Sequence, residues 1–317
     1  MNSESRNPIL IILAFFSIYV IWGSTYMLNK VAVTELSPFF LASIRFTTAG
    51  VLIFIIAKAM GKSLAITRKQ LLNTIIVGFL FLSFGNGVIV WALKYVDSGF
   101  AALEISAQPL VVLFLMRILQ GKKIKLMSLI GVGLGILGIT LLVTQQQIVT
   151  QEGSIVGMIM IFACMLSWAF GSLFVGKAEF PKNFFVNTGY QMFTGGITLA
   201  IASLAFGEAW LAPNKWSMQV QWSMVLLIIF GSIVAFTSFN YLLKSVSPDK
   251  VATSTYVNPL IALFLGWYFL DEEITSQSLI AAAVLLTGVY FINTAKTTVT
   301  LPRFTSKIFN KHKKEEF

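Results

Sequence analysis

LKYVDSGFAALEISAQPLVVLFLMRILQGKKIKLMSLIGVGLGILG, residues 93–138, returns without a gap as LKSVSPDKVATSTYVNPLIALFLGWYFLDEEITSQSLIAAAVLLTG, residues 243–288. Lys94 and Lys244, Val96 and Val246, Ala102 and Ala252, Pro109 and Pro259, Ser128 and Ser278, and Gly138 and Gly288 match across this offset of 150 positions. Matching Leu and Ile carry little weight in so apolar a chain; paired Pro, Lys, Ser and Gly carry more. A repeat inside a membrane-embedded chain is the usual mark of a moving device built from two halves.

The membrane follows from composition. The 317 residues are 56% hydrophobic and 11% charged, with a mean hydropathy of +0.81, against about 25% charged in soluble domains. A net charge of +10 would suit a nucleic-acid binder, but the basic residues lie in loops on one side of the bilayer, so topology accounts for them and no nucleic acid is expected. Cys164 is the only cysteine, which rules out an intrachain disulfide and a site of several thiolates. We expect no metal and no cofactor. The only histidine, His312, lies in the tail, and neither H-E-x-x-H nor a P-loop occurs. Gly131, Gly133, Gly135 and Gly138 sit within an apolar run with no preceding strand, so they read as close helix packing.

Ten spans are expected: 8–31, 37–58, 71–93, 98–119, 124–144, 154–176, 183–207, 220–243, 249–270 and 276–295. Each is near the roughly 20 residues needed to cross hydrocarbon as a helix. The first is too long for a signal-peptide core and lacks an A-x-A site, so it reads as retained. With the N-terminus on side one, that side holds Arg6, then Lys58, Lys62, Arg68 and Lys69, then Arg117, Lys122, Lys123 and Lys125, then Lys177, Lys182, Lys244 and Lys250, and six more in the tail. The other side holds Lys30, Lys94 and Lys215. Both termini are therefore expected in the cytoplasm. Five spans per half is an odd number, so the second half must enter from the opposite side. The expected architecture is all-α and membrane-integral: ten transmembrane helices as two inverted-topology repeats, 8–144 and 154–295, with a basic cytoplasmic tail, 296–317.

With these elements in place, the chain resembles the drug/metabolite transporter superfamily, specifically its ten-span type with two EamA domains. The resemblance rests on Trp22-Gly23-Ser24, Ser37-Pro38, Arg45-Phe46, Ala92-Leu93-Lys94-Tyr95-Val96, Pro109-Leu110 and Gly138. In the second half it rests on Trp168, Gly171-Ser172, Pro259-Leu260, Glu272 or Glu273 before Ile274-Thr275, and Gly288. It implies a carrier of small metabolites, amino acids or drugs, often outward, in an inner or plasma membrane. Two departures stand out. Gln120-Gly121-Lys122 replaces the acidic residue that usually closes the fourth span, and Gln191 occupies the approximate place of Arg45 in the second half.

Charge within hydrocarbon is costly, so Arg45 and Glu104 are candidates for function. Counted along their spans they reach similar depth, roughly 12 and 9 Å from the outer face, with Asn86 nearby. They read either as a substrate-contacting or gating pair, with Glu104 a candidate carrier of a coupling proton, or as a structural ion pair fixing span two against span four, or as side chains that snorkel to the outer surface. Gln108-Pro109 and Asn258-Pro259 are candidates for paired helix bends at a central site, because proline removes a donor and clashes with the carbonyl four residues before it. Trp22, Trp168, Tyr190, Gln191, Ser254, Thr255 and Tyr256 are candidate cavity walls. The function expected is a secondary transporter, an exporter working by alternating access through a central cavity between the repeats, with a small-molecule substrate and the lipid bilayer as its partners. The alternative is a membrane sensor or assembly subunit without transport activity.

Overall fold

Apolar runs punctuated by glycine, proline and charge fold as ten helical rods in the described residues of the computed structural model, which are 8–121, 124–145, 152–246, 251 and 254–294. We number them α1 (Pro8–Ala32), α2 (Pro38–Ala59), α3 (Arg68–Ala92), α4 (Ser98–Gln120), α5 (Leu126–Val143), α6 (Ser154–Val175), α7 (Phe184–Ala205), α8 (Met218–Leu242), α9 (Ser254–Leu270) and α10 (Ser276–Thr294). Eight are long and apolar enough to cross a membrane. The other two are α9, which is shorter, and α7, whose 22 residues include Asn187, Thr188, Gln191 and Thr194. Among the described residues there is no strand, so the protein is all-α and membrane-integral. The basic tail, 296–317, lies outside the described residues.

The rods define two ends. One, the terminal end, holds the start of α1, the finish of α10 and the connections α2–α3, α4–α5, α6–α7 and α8–α9. The opposite, distal end holds the remaining connections. Packing follows a regular exchange. The longest contacts are α2 with α7 and α5 with α10. Beyond these, α1 meets α8 and α9, α6 meets α3 and α4, α2 meets α8, α7 meets α3, and α4 meets α9. Adding or subtracting five from each number returns this set; the contacts of α1 and α10 with α4 have no counterpart of similar extent between α9 and α6 or α5 among the described residues.

Sequence explains the tightest of these seams. A Cβ on Gly131 would press on the Gly288 carbonyl, and one on Gly288 would lie 2.7 Å from the Gly131 carbonyl. Glycine at both places lets α5 and α10 approach backbone to backbone. The distal end is filled by large side chains, among them Leu36, Phe40, Leu93, Val96, Phe100 and Trp216.

Two features depart from uniform α-helical spans. Three rods contain π-helical stretches: Ser17–Ile21 in α1, Phe79–Asn86 in α3 and Leu227–Val234 in α8. Those in α3 and α8 occupy matching places in the two halves. Such turns shift the hydrogen-bond ladder and are frequent at functional sites. The second departure is in α4, where the α-helical ladder of Ser98–Ile105 is interrupted by a tighter right-handed turn at Ser106 and Ala107 and resumes as Gln108–Gln120. Pro109 sits at the start of the second segment, where an N–H would lack a helical acceptor in any case. Pro259, by contrast, lies inside a continuous helix. The paired bend expected from sequence is therefore a tighter turn in one half and an unbroken rod in the other.

Candidate functional site: a cavity between the halves

All ten rods contribute to one cavity of about 940 Å³, a volume suited to a small organic molecule. Its wall reaches Lys125, Gly176, Phe180 and Val251 at the terminal end and continues past the middle to Asn29, Arg45 and Ile89. None of the wall residues comes from the distal connections.

The two amides that precede the prolines brace the wall. Gln108 Nε2 donates to the Met165 carbonyl of α6 at 3.0 Å. With its amide turned to donate, Asn258 Nδ2 lies 2.8 Å from the Ile18 carbonyl and 2.9 Å from that of Tyr19. Both carbonyls belong to the π-helical turn of α1, which explains how that turn is tolerated in an apolar span: α9 satisfies its acceptors. The π-helical stretch of α3 is met similarly from α6, where Ser167 Oγ donates to the Leu80 carbonyl at 2.7 Å.

The two tryptophans have matching roles. Trp168 of α6 stacks on Phe81 of α3, centroids 4.3 Å apart. Trp22 of α1 packs against Phe236 and Phe239 of α8 at 6.3 and 5.1 Å. Both line the cavity, as do Asn86, Gln191, Ser254, Thr255 and Pro109.

Four candidates lie off the wall, Pro259 among them. Tyr190 donates its hydroxyl to the Leu64 carbonyl at 3.0 Å. Tyr256 accepts from Asn293 Nδ2 at 2.8 Å. Glu104 lies one residue before the end of the first segment of α4, is 5% exposed, and its Oε2 has no hydrogen-bond partner among the described residues.

Arg45 does line the cavity, and it does not pair with Glu104. Its Nε donates to Ser232 Oγ at 2.8 Å and its Nη1 to Asn29 Oδ1 at 3.4 Å. Ser232 belongs to the π-helical stretch of α8, and its neighbour Gly231 makes room for the guanidinium, since a Cβ there would lie 3.3 Å from Nη2. The possible structural ion pair is thus corrected: neutral oxygens from α1 and α8 hold the arginine. Sequence reading passed over these partners. Asn29, and the further wall residues Asn187, Asn240 and Asn293, could have been found as amides inside apolar spans; Ser232 could not, because its role depends on a π-helical register.

Carboxylates close the distal end by capping helix starts across the halves. Glu272 Oε1 accepts from the Ser98 N–H at 2.7 Å, and its Oε2 accepts from the Ser98 hydroxyl at 2.9 Å and the Gly99 N–H at 3.1 Å. Glu208 accepts from the N–H groups of Phe39 at 3.1 Å and Phe40 at 2.8 Å. Lys30 donates to the carbonyls of Leu93 at 2.8 Å and Val96 at 2.7 Å.

A bundle of apolar helices around a largely apolar cavity with polar groups set into its wall, closed over at one end and reaching the other, defines a multi-pass membrane transporter. The EamA-like transporter family matches residues 9–144 and again 155–294. The chain is 32% identical over 284 residues to the "Uncharacterized inner membrane transporter YedA" of Escherichia coli (strain K12), covering 89% of this chain and 90% of that one. It is 23% identical over 285 residues to the "Uncharacterized transporter YoaV" of Bacillus subtilis (strain 168), covering 90% and 96%. A crystal structure with 18% identity superposes with a TM-score of 0.65 over 89% of this chain and 95% of that chain, a likeness of fold. The chain belongs to the EamA-like transporter family.

Proposed function

We propose that this transporter exports small metabolites, amino acids or drugs by alternating access, using two inverted five-helix halves, 8–144 and 154–295, that rock about the central cavity. The carrying observation is the cavity itself, which reaches the terminal end and stops beneath the distal caps. The exchange of helix contacts under a shift of five supports the inverted pairing. The sequence assigns nineteen of 23 basic residues to the side that holds the termini, which orients that end toward the cytoplasm and makes this conformation open to it. The tighter turn in α4 gives one half a joint: Gln108–Gln120 can swing while Ser98–Ile105 stays clamped by Glu272.

Glu104, at that joint, is the candidate proton carrier. A buried oxygen without a partner costs about 1–3 kcal/mol, and a carboxyl group beside a moving joint can meet water in one conformation and lose it in the other. The test is exchange in proteoliposomes against a panel of metabolites, with and without a pH gradient. Saturable exchange is expected, accelerated by the gradient in the native chain and indifferent to it in Glu104→Gln. Exchange of nothing in the panel overturns the transport mechanism. Gradient dependence that survives Glu104→Gln removes the proton role.

A further inference from the structure

The charge on the cavity wall is one-sided. Among the described residues that form it, none is Asp or Glu; the charged ones are Arg45 and Lys125. Lys125 stands near the terminal mouth, while Arg45 lies past the middle, 3% exposed, at the deep end. A guanidinium has five N–H donors, and among the described residues two of them are engaged, through Ser232 and Asn29. Nη2 makes no hydrogen bond to the protein among the described residues. The groups that hold Arg45 are neutral, so they fix the fork in space without cancelling its charge. Gly231 keeps the space beside Nη2 open. Around this fixed cation the wall is largely aromatic, with Trp22, Phe46, Phe81 and Phe236.

We propose that Arg45 is the carboxylate-binding residue of the cavity, and that the transported class is small organic acids or zwitterions whose carboxylate docks on its unengaged N–H groups and whose apolar body packs on the aromatic wall. The inference rests on the transporter reading and gives it a substrate chemistry. Planar guanidinium matches carboxylate bidentately. Burial away from water strengthens that contact, because a carboxylate arriving there meets a cation with no competing anion. Ser232 and Asn29 act as positioning residues, since each reaches the ligand only through Arg45.

The test compares ligands that differ only in the docking group. Radiolabelled phenylacetate and phenylacetamide are bound to the purified full-length chain in scintillation-proximity measurements, up to about 10 mM. The native chain is expected to prefer the carboxylate by roughly ten- to a hundred-fold, the scale of one hydrogen bond to a charged group. Arg45→Gln is expected to bring that ratio near one while phenylacetamide affinity stays within about two-fold. Arg45→Lys keeps charge but loses the planar fork, so a reduced preference is expected; it serves where the glutamine variant does not fold. A native ratio near one, binding of neither ligand, a preference that persists in Arg45→Gln, or an equal fall for both ligands overturns the proposal. Counterflow of the same compounds in proteoliposomes runs in parallel. Selective binding without movement would break the transport mechanism and leave the carboxylate site standing; movement without selectivity would do the reverse.

Discussion

The two ends of the molecule are both crossed by contacts between the halves, yet they are held differently. At the distal end, Glu272 and Glu208 each take two backbone N–H groups at the start of a helix in the other half. At the terminal end, Glu179 reaches Lys69 at 3.4 Å, with side chains 52% and 71% exposed. A carboxylate at a helix start satisfies donors that have no intrahelical partner and lies at the positive end of the helix dipole. An exposed pair of long side chains contributes about 0–1 kcal/mol and is screened by salt. The terminal end has short bonds between the halves as well, from Asn73 Nδ2 to the Glu179 carbonyl at 2.9 Å and from the Tyr190 hydroxyl to the Leu64 carbonyl at 3.0 Å; what sets the sealed end apart among the described residues is that carboxylates there cap helix starts of the other half.

The sharpest way to break this comparison is to remove a distal cap. Loss of a cap costs about 0.5–2 kcal/mol, which is up to roughly thirty-fold in the ratio of closed to open distal end. Glu272→Ala, which releases three donors of the other half, is expected to have the larger effect, and Glu208→Ala, which releases two there and the Ser203 hydroxyl within its own half, the smaller. The readout is labelling of Ile89→Cys, a wall position, in a Cys164→Ser background, by a thiol reagent that cannot cross the membrane and is applied on the distal side. Faster labelling is expected in both variants. Unchanged rates would mean that the packed side chains around Phe40 and Trp216 seal the end by themselves.

How far the halves match was only partly legible. The ten rods and their order follow from the length and spacing of apolar runs, and the repeat could be read from Pro109/Pro259 and Gly138/Gly288 because each has a backbone or packing reason to stand where it does. The tighter turn in α4 was not legible. Proline marks both places, but Ser106 and Ala107 are ordinary helix residues, and only tertiary packing decides that α4 tightens there while α9 does not. The π-helical stretches were hidden for a similar reason: apart from Gly231 and Ser232 the run Leu227–Val234 is wholly apolar, so a changed period leaves little trace in the pattern. Arg45 was legible as a site, whereas its partners were not.

That difference between α4 and α9 gives the next test, smaller in size. A proline inside a helix costs about 3 kcal/mol in an ordinary setting, and less where neighbours have adapted. Pro259→Ala returns an N–H to the interior of a continuous rod that links the two ends, so it is expected to raise the thermal unfolding midpoint. Pro109→Ala, at the first turn of its segment, is expected to change it little. Thermal denaturation of the two purified variants decides. Equal shifts would mean that the two prolines do the same work, and the joint would then have to be sought at both.

The smallest effect sharpens the comparison from its edge. Glu35 lies outside the spans at the distal end and accepts from the Ser217 N–H at 2.9 Å. Bonding to Ser217 holds its carboxyl below the usual carboxylate range, against a lesser opposing effect of burial. A group whose folded value is depressed contributes stability above its unfolded value, about 4.3, and that contribution disappears as pH falls through the folded value. Because Glu35 is fully exposed, the effect on the start of α8 should be under about two-fold. Hydrogen–deuterium exchange of the peptide 216–222, corrected for the intrinsic pH dependence of exchange, reads it. Protection in the native chain should exceed that in Glu35→Gln at pH 6, and the gap should close below about pH 4. A gap that stays constant with pH would assign the protection to shape instead of charge. Glu35 would then stand with the exposed pair of the terminal end, and only Glu208 and Glu272 would distinguish the sealed end from the open one.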